Sequence, residues 1–316
     1  MRELPSLVKR NCKLFFRDKG MFFTSLITPM ILLILYTTFL ANLYRDNFSS
    51  ILSAGVTVSD SLLDGAVAGQ LLSSLLAVSS VTVSFCSNML MVQDRVTGAR
   101  RDLTMAPVRT STLALGYYLS TVITTLIVCY FAVLLGLLYI GISGWYLSFA
   151  DVVLILLDVF LLVMFGTAIS SIINFFLTSQ GQISAVGTIV SAGYGFICGA
   201  YLPISEFSPV LRDAVMFSPG TYGTALLRNH TMRGVLSEMQ KSGIPSELTD
   251  VIRRLVDYKL SFFGHDVKSY VMYLALVGST LALVGVYLAM NLVRERSARA
   301  ARERSARLSE LNSQQN

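Results

Sequence analysis

The chain has 316 residues, of which 53% are hydrophobic and 14% charged, with a formal net charge of +6. A soluble domain carries about 25% charged residues, and so few charges cannot keep this much apolar surface dispersed in water. With a mean hydropathy of +0.63, this excludes a disordered chain, a nucleic-acid-binding module and most soluble enzymes. Cys12, Cys86, Cys129 and Cys198 lie far apart with no CxxC pair, so neither a disulfide scaffold nor a zinc site is expected. The basic balance fits contact with anionic membrane lipids.

Residues 4–17 divide cleanly on a helical wheel. Leu7, Val8, Cys12, Leu14, Phe15 and Phe16 fall on one side, and Lys9, Arg10, Lys13 and Arg17 on the other. This predicts an amphipathic helix lying flat in the cytoplasmic interface. It serves as a topological anchor, as a contact for a cytoplasmic partner or gate, or as both.

Apolar stretches of about 20 residues, the length that crosses a bilayer as helix, follow at residues 21–43, 65–92, 113–140, 149–176, 183–201 and 270–293. All are expected to be helices, because lipid offers no partner for unpaired backbone amides. The first starts too late and runs too long for a cleavable signal peptide. Arg and Lys are dense before the first stretch, in the loop at residues 93–112 and after the last stretch, and sparse in residues 44–64 and 144–151. The positive-inside rule then puts both termini in the cytoplasm of a multi-pass protein of a cell membrane, here a bacterial plasma membrane. The expected organisation is an interfacial helix at 1–20, a six-span domain at 21–293 with an external loop at 202–269, and a basic tail at 294–316.

The loop at 93–112 holds Asp94, Arg95, Gly98, Arg100, Arg101 and Asp102 and predicts a short charged helix ended by Pro107. Such a helix is solvated or docks on a cytosolic subunit. In the external loop, residues 204–216 and 221–233 are too short to cross and are expected to re-enter the outer leaflet around a turn at Ser218, Pro219 and Gly220. Residues 246–260 have the spacing of an external amphipathic helix.

Within the spans, Ser80, Ser84 and Asn88 share one face of the second, beside Ser73 and Ser87. The fifth carries Ser191, Gly195 and Gly199 on a small-residue ridge that includes a GxxxG. These positions are either helix interfaces or a translocation path. Asp158 lies deep in the fourth span, where a carboxylate is costly. It either lines the path or bonds to a neighbouring Ser, Thr or Tyr. No GxxxxGK[ST] motif is present, which excludes nucleotide binding through a P-loop. His230 and His265 fall in the external loop without metal-ligand spacing. No catalytic residues and no metal ligands are expected.

Taken together, the N-terminal helix, the six spans, the loop from Asp94 through Ala-Pro107-Val, the exit Gly199-Ala-Tyr-Leu-Pro203-Ile and the run Phe217-Ser-Pro-Gly-Thr-Tyr resemble the membrane permease of the type-2 ABC exporter family. The resemblance covers nearly the whole chain. It implies an all-α integral membrane protein in which residues 94–107 are the coupling helix and the N-terminal helix is the connecting helix. It also implies a separate ABC ATPase that holds ATP and magnesium, and a second permease chain in a homodimer or heterodimer. The path would run between the two chains, contributed by the second and fifth spans, with Pro203, Ser218, Pro219 and Gly220 in the outer gate. A lipophilic drug, lipid or lipid-linked glycan suits an apolar path. The segment at 234–268 is longer than in compact polysaccharide exporters, which leaves the substrate open. The alternative is an ATP-independent channel, secondary carrier or assembly scaffold.

Overall fold

The computed structural model describes residues 3–52, 59–105 and 108–314, with backbone alone for residues 298, 299 and 301–314. The chain is almost entirely helical among these residues. Helix α1 (Glu3–Arg17) leads into a rod made of α2 (Lys19–Leu35), a π-helical turn at Tyr36–Leu40 and α3 (Ala41–Leu52). Then come α4 (Asp60–Val96), α5 (Ala99–Met105), α6 (Thr110–Ser143), α7 (Phe149–Phe176) and α8 (Gln180–Ile197). The last part holds α9 (Pro209–Val215), α10 (Pro219–Lys241), α11 (Ser246–Leu255), an antiparallel pair of two-residue strands and α12 (Ser269–Gln314). One end of the bundle carries α5, and the other is called here the far end.

The apolar runs become helices whose ends are fixed by local polar chemistry. The side chains of Ser148 and Asp151 exchange hydrogen bonds with each other's backbone at the start of α7, and Ser179 and Gln182 do the same at the start of α8. Gly98, with φ +84, separates α4 from α5.

Helix α4 is the axis of the fold. It packs on α2, α6, α7, α8 and α10, and 94% of its most apolar stretch is buried. Glycines permit the closest approaches. A Cβ on Gly69 would sit 2.8 Å from the Thr231 carbonyl oxygen of α10, and one on Gly166 of α7 would sit 2.9 Å from Val81 Cα. Side chains of α4, α6, α7, α10 and α12 form the larger core. A second core at the far end joins α3, α4, α10 and α11 through Phe48, Leu63, Val235 and Ile252.

Among the described residues, five helices are long and apolar enough to cross a membrane: Lys19–Leu52, Asp60–Val96, Thr110–Ser143, Phe149–Phe176 and Ser269–Ser297. The fifth expected span, 183–201, is found about three residues earlier, as α8. Helix α8 has 18 residues, a length of about 27 Å against a hydrocarbon core of about 30 Å. Its end also departs from the expected ridge. Gly199 lies beyond the helix with φ +71, Ala200 N–H donates to the Gly195 carbonyl at 2.9 Å, and the Tyr201 ring folds back over Gly195. The two glycines therefore terminate the helix and do not form one face of it.

The segment after α8 is uneven. Helix α9 is short and leaves Val210 82% exposed, whereas α10 is largely buried from Gly220 to Met232. Helix α10 opens midway along α7, where Gly223 meets Leu162, and leaves at the far end, where Gly234 meets the Tyr146 carbonyl. It thus fills the far half of the bundle.

Helix α1 also differs from expectation. Leu7, Asn11 and Phe15 are spaced by four residues and buried, with Leu7 against α6 at Gly116 and Asn11 Nδ2 donating to Ser120 Oγ at 3.3 Å. This line of the amphipathic helix faces protein, because the small Gly116 and Ser120 leave room for it.

Candidate functional site

At the α5 end, the charged loop splits into two groups of residues. Asp94 is buried and accepts from Arg10 Nη1 at 2.8 Å, Arg10 Nη2 at 3.1 Å and Tyr117 Oη at 2.7 Å. The Asp94 carboxylate holds the Arg10 proton more tightly than usual. Arg95 donates to the carbonyls of Phe175 and Leu177, closing the exposed end of α7. Asp94 and Arg95 therefore tie α1, α4, α6 and α7 together and offer little to an outside partner. Arg100 is half-buried, and desolvation followed by the nearby Arg294 charge pushes its guanidinium pKa down. Arg101 and Asp102 are exposed, and no residue of α5 is buried. Gly98 has open space where a Cβ would stand, so a substitution there strains φ and does not clash. Pro107 lies outside the described residues.

In the middle of the bundle, Ser84 and Asn88 reach from α4 to α7. Asn88 Nδ2 donates to Ser170 Oγ at 2.9 Å and Ser171 Oγ at 3.0 Å, and Ser84 contacts Thr167 and the Val163 carbonyl. Ser80 bonds to its own helix at the Leu76 carbonyl. These residues are helix-interface residues inside one chain. The serine face is turned inward because buried hydroxyls need acceptors that lipid does not supply.

Asp158 is fully buried and accepts from Tyr273 Oη of α12 at 2.8 Å, and its Oδ2 lies 2.5 Å from His230 Nδ1 of α10. His230 is thus a buried group within the bundle, in contrast to the external position expected from sequence. The neighbouring hydroxyl expected for Asp158 is present as Tyr273, but the imidazole was not foreseen. A second buried pair joins the same helix to Asp257, just beyond α11. Arg228 Nη1 donates to Asp257 Oδ2 at 3.1 Å, and Nη2 donates to the Gly199 carbonyl. Asp257 also accepts from the backbone N–H groups of Ile204 and Ser205. Burial pushes the Asp257 carboxyl pKa up, opposed by the Arg228 charge. Asp257 takes φ +52, a costly conformation for a non-glycine residue that this bonding holds in place. Pro203 leads into this clamped turn. Ser218, Pro219 and Gly220 begin α10, with Gly220 against the buried Tyr194 hydroxyl.

A cavity of about 680 Å³ opens between α2, α4 and α8. Thr24, Thr28, Met89, Gly187, Ser191 and Tyr201 lie on its wall. Of the expected path residues, Ser191 is the one placed there. Gly195 and Gly199 belong to the helix end above it. Among the described residues, no group of three or more His, Cys, Asp or Glu could hold a metal ion.

A long buried axial helix, a projecting charged helix at one end and a buried helix filling the far end make up an all-helical membrane-protein fold. Residues 2–231 match the ABC-2 type transporter family, and the chain belongs to that family. It is accordingly a multi-pass membrane permease of the ABC type. No curated protein matches closely enough to add an individual relative to this assignment.

Proposed function

We propose that the chain is the permease subunit of an ATP-driven exporter, moving a lipophilic or lipid-linked substrate out of the cytoplasm. The observation that carries the reading is α5. This helix lies between α4 and α6 in the chain, buries none of its own residues and turns Arg101, Asp102 and Met105 outward. A short charged helix of this kind suits a polar groove on a separate ATPase chain, which would hold ATP and magnesium. The ion pair of Arg10 with Asp94 connects α1 to the base of α4, so a push on α5 reaches both helices. Both termini then lie in the cytoplasm of a cell membrane.

In this reading the path lies mainly along α2 and α8, with Cys86 and Met89 of α4 at the back of the cavity. Helix α4 has almost no free surface. Helices α2 and α8 border the large cavity and expose Ile27, Ile31, Ile34, Ile189 and Phe196. A second permease chain facing them would enclose an apolar route dotted with Thr and Ser hydroxyls, and the route suits an amphiphile better than an ion. Helix α10 and the Arg228–Asp257 clamp would form the outer closure.

The test is co-purification and reconstitution with the cognate ABC ATPase. Arg101→Ala combined with Asp102→Ala is expected to abolish ATPase association while leaving the fold intact. Ser191→Trp is expected to keep association and block transport. Full ATP-dependent transport by both variants would overturn the reading.

A further inference from the structure

We infer that the far end of the bundle carries a binding site for a phosphate group with a hydroxyl on it or beside it. The site is a cavity of about 310 Å³ where the outer part of α10, the strand pair and the start of α12 meet. It is separate from the large cavity and from α5.

Three cationic side chains line it, Arg233, Lys259 and Lys268, against one carboxylate, Asp266. The partners of the first two stand outside the lining. Arg233 is held by the buried Asp151, and Lys259 lies a loose 3.8 Å from Asp250. Among the described residues, Lys268 Nζ has no ion-pair partner. The wall therefore presents excess positive charge to whatever enters, which selects an anion.

Asn229 narrows the choice. It is 9% exposed, lines the same cavity, and its Oδ1 is buried without a hydrogen-bond partner. A buried amide oxygen left unpaired is costly, and the group that satisfies it is a donor. A modest turn of the Asn229 amide would bring its oxygen to the cavity, so a ligand that is anionic and also offers a hydroxyl answers both features. Hydrogen phosphate meets both needs, as does a glycerophosphate headgroup. Sulfate and simple carboxylates lack the hydroxyl. His230, 8% exposed, also lines the cavity while its Nδ1 contacts Asp158, so an occupant would rest directly against the junction of α7, α10 and α12.

The test is isothermal titration of the purified full-length chain in phosphate-free detergent solution. Inorganic phosphate, sulfate, short-chain phosphatidylglycerol and short-chain phosphatidylcholine are titrated separately. The expected result is saturable binding of phosphate at one per chain, with sulfate at least about tenfold weaker. Lys259→Ala and Lys268→Ala are both exposed-residue changes and should each weaken binding about tenfold or more. Lys241→Ala, exposed and outside the cavity, should leave it unchanged. Binding of phosphatidylglycerol without free phosphate or phosphatidylcholine would assign the same site to a lipid headgroup. No saturable binding by either phosphate source would overturn the proposal. So would equal affinity for sulfate, or unchanged binding in the two lysine variants.

Discussion

Helices α4 and α8 are both rich in serine and glycine, yet they occupy opposite situations. Along α4 the small residues are sealed against α7 and α10, and Gly69 and its neighbours meet backbone atoms at contact distance. Along α8 only Ile183 and Gly195 are buried, and Gly181 and Gly193 face open space. A small-residue stripe thus marks a place where something packs closely, but not whether that partner lies in the same chain. The helices around α4 add a second distinction. The rod Lys19–Leu52 has only 11% of its most apolar stretch buried, so its apolar face is available to lipid or to another chain. In a membrane the hydrophobic effect does not sort helices inward, and the polar helix takes the centre because its hydroxyls and amides need partners.

The largest expected effect on this contrast lies in the buried pair at the top of α10. Arg228→Ala leaves Asp257 buried and unpaired and should cost roughly 3–5 kcal/mol, read as a large drop in thermal melting of the detergent-solubilised chain. Next comes Asp158. Asp158→Ala strips both His230 and Tyr273 of their acceptor and should cost about 2–4 kcal/mol, whereas Asp158→Asn keeps a hydrogen-bonding amide and should cost under about 1.5 kcal/mol. Equal melting temperatures for the two variants would mean that the cluster holds nothing together. A paired glycine test tests the contrast directly. Gly69→Val should destabilise by about 1–3 kcal/mol through overpacking on Thr231, while Gly193→Val on α8 should stay within about 0.5 kcal/mol. If Gly193→Val spares the melting temperature but disrupts pairing of two chains by cross-linking, the open face of α8 is an interface between chains. The smallest stability effect belongs to α5. Arg101→Ala should shift melting by less than about 0.5 kcal/mol, and its loss should show in ATPase pull-down alone.

Hydropathy located most of the helices because apolar runs have only one backbone solution in lipid. The range 149–176 coincides with α7, and the break around Gly98 is where the chain turns into α5. Relations between distant residues were much less legible. Asp158 and His230 are 72 residues apart, and nothing local announces the pair. The clue was the placement of residues 221–233 as a segment re-entering the apolar region. Two polar residues buried there, Arg228 and His230, required partners, and Asp158 was the one carboxylate known to need one. The serine face of α4 had a readable direction, but a wheel does not identify the neighbour on that side. The GxxxG of α8 failed for a conformational reason, since a left-handed φ at Gly199 ends the helix before the motif is complete. Asp94 was read as a docking charge because its partner Arg10 lies at the other end of the sequence stretch, 84 residues away.

Helix α12 has 46 residues, about 69 Å of unbroken rod and more than twice the thickness of a hydrocarbon core. Its near end is held by Tyr273 at the Asp158 cluster and its middle by Tyr287 against Met91 and the Ala114 carbonyl. From Tyr287, the last of these anchors, to the tip at Gln314 is about 40 Å, so a tilt of about 10° there would sweep the tip through about 7 Å. Leverage of this kind would turn a small tilt where the helix leaves the bundle into a much wider displacement at its tip.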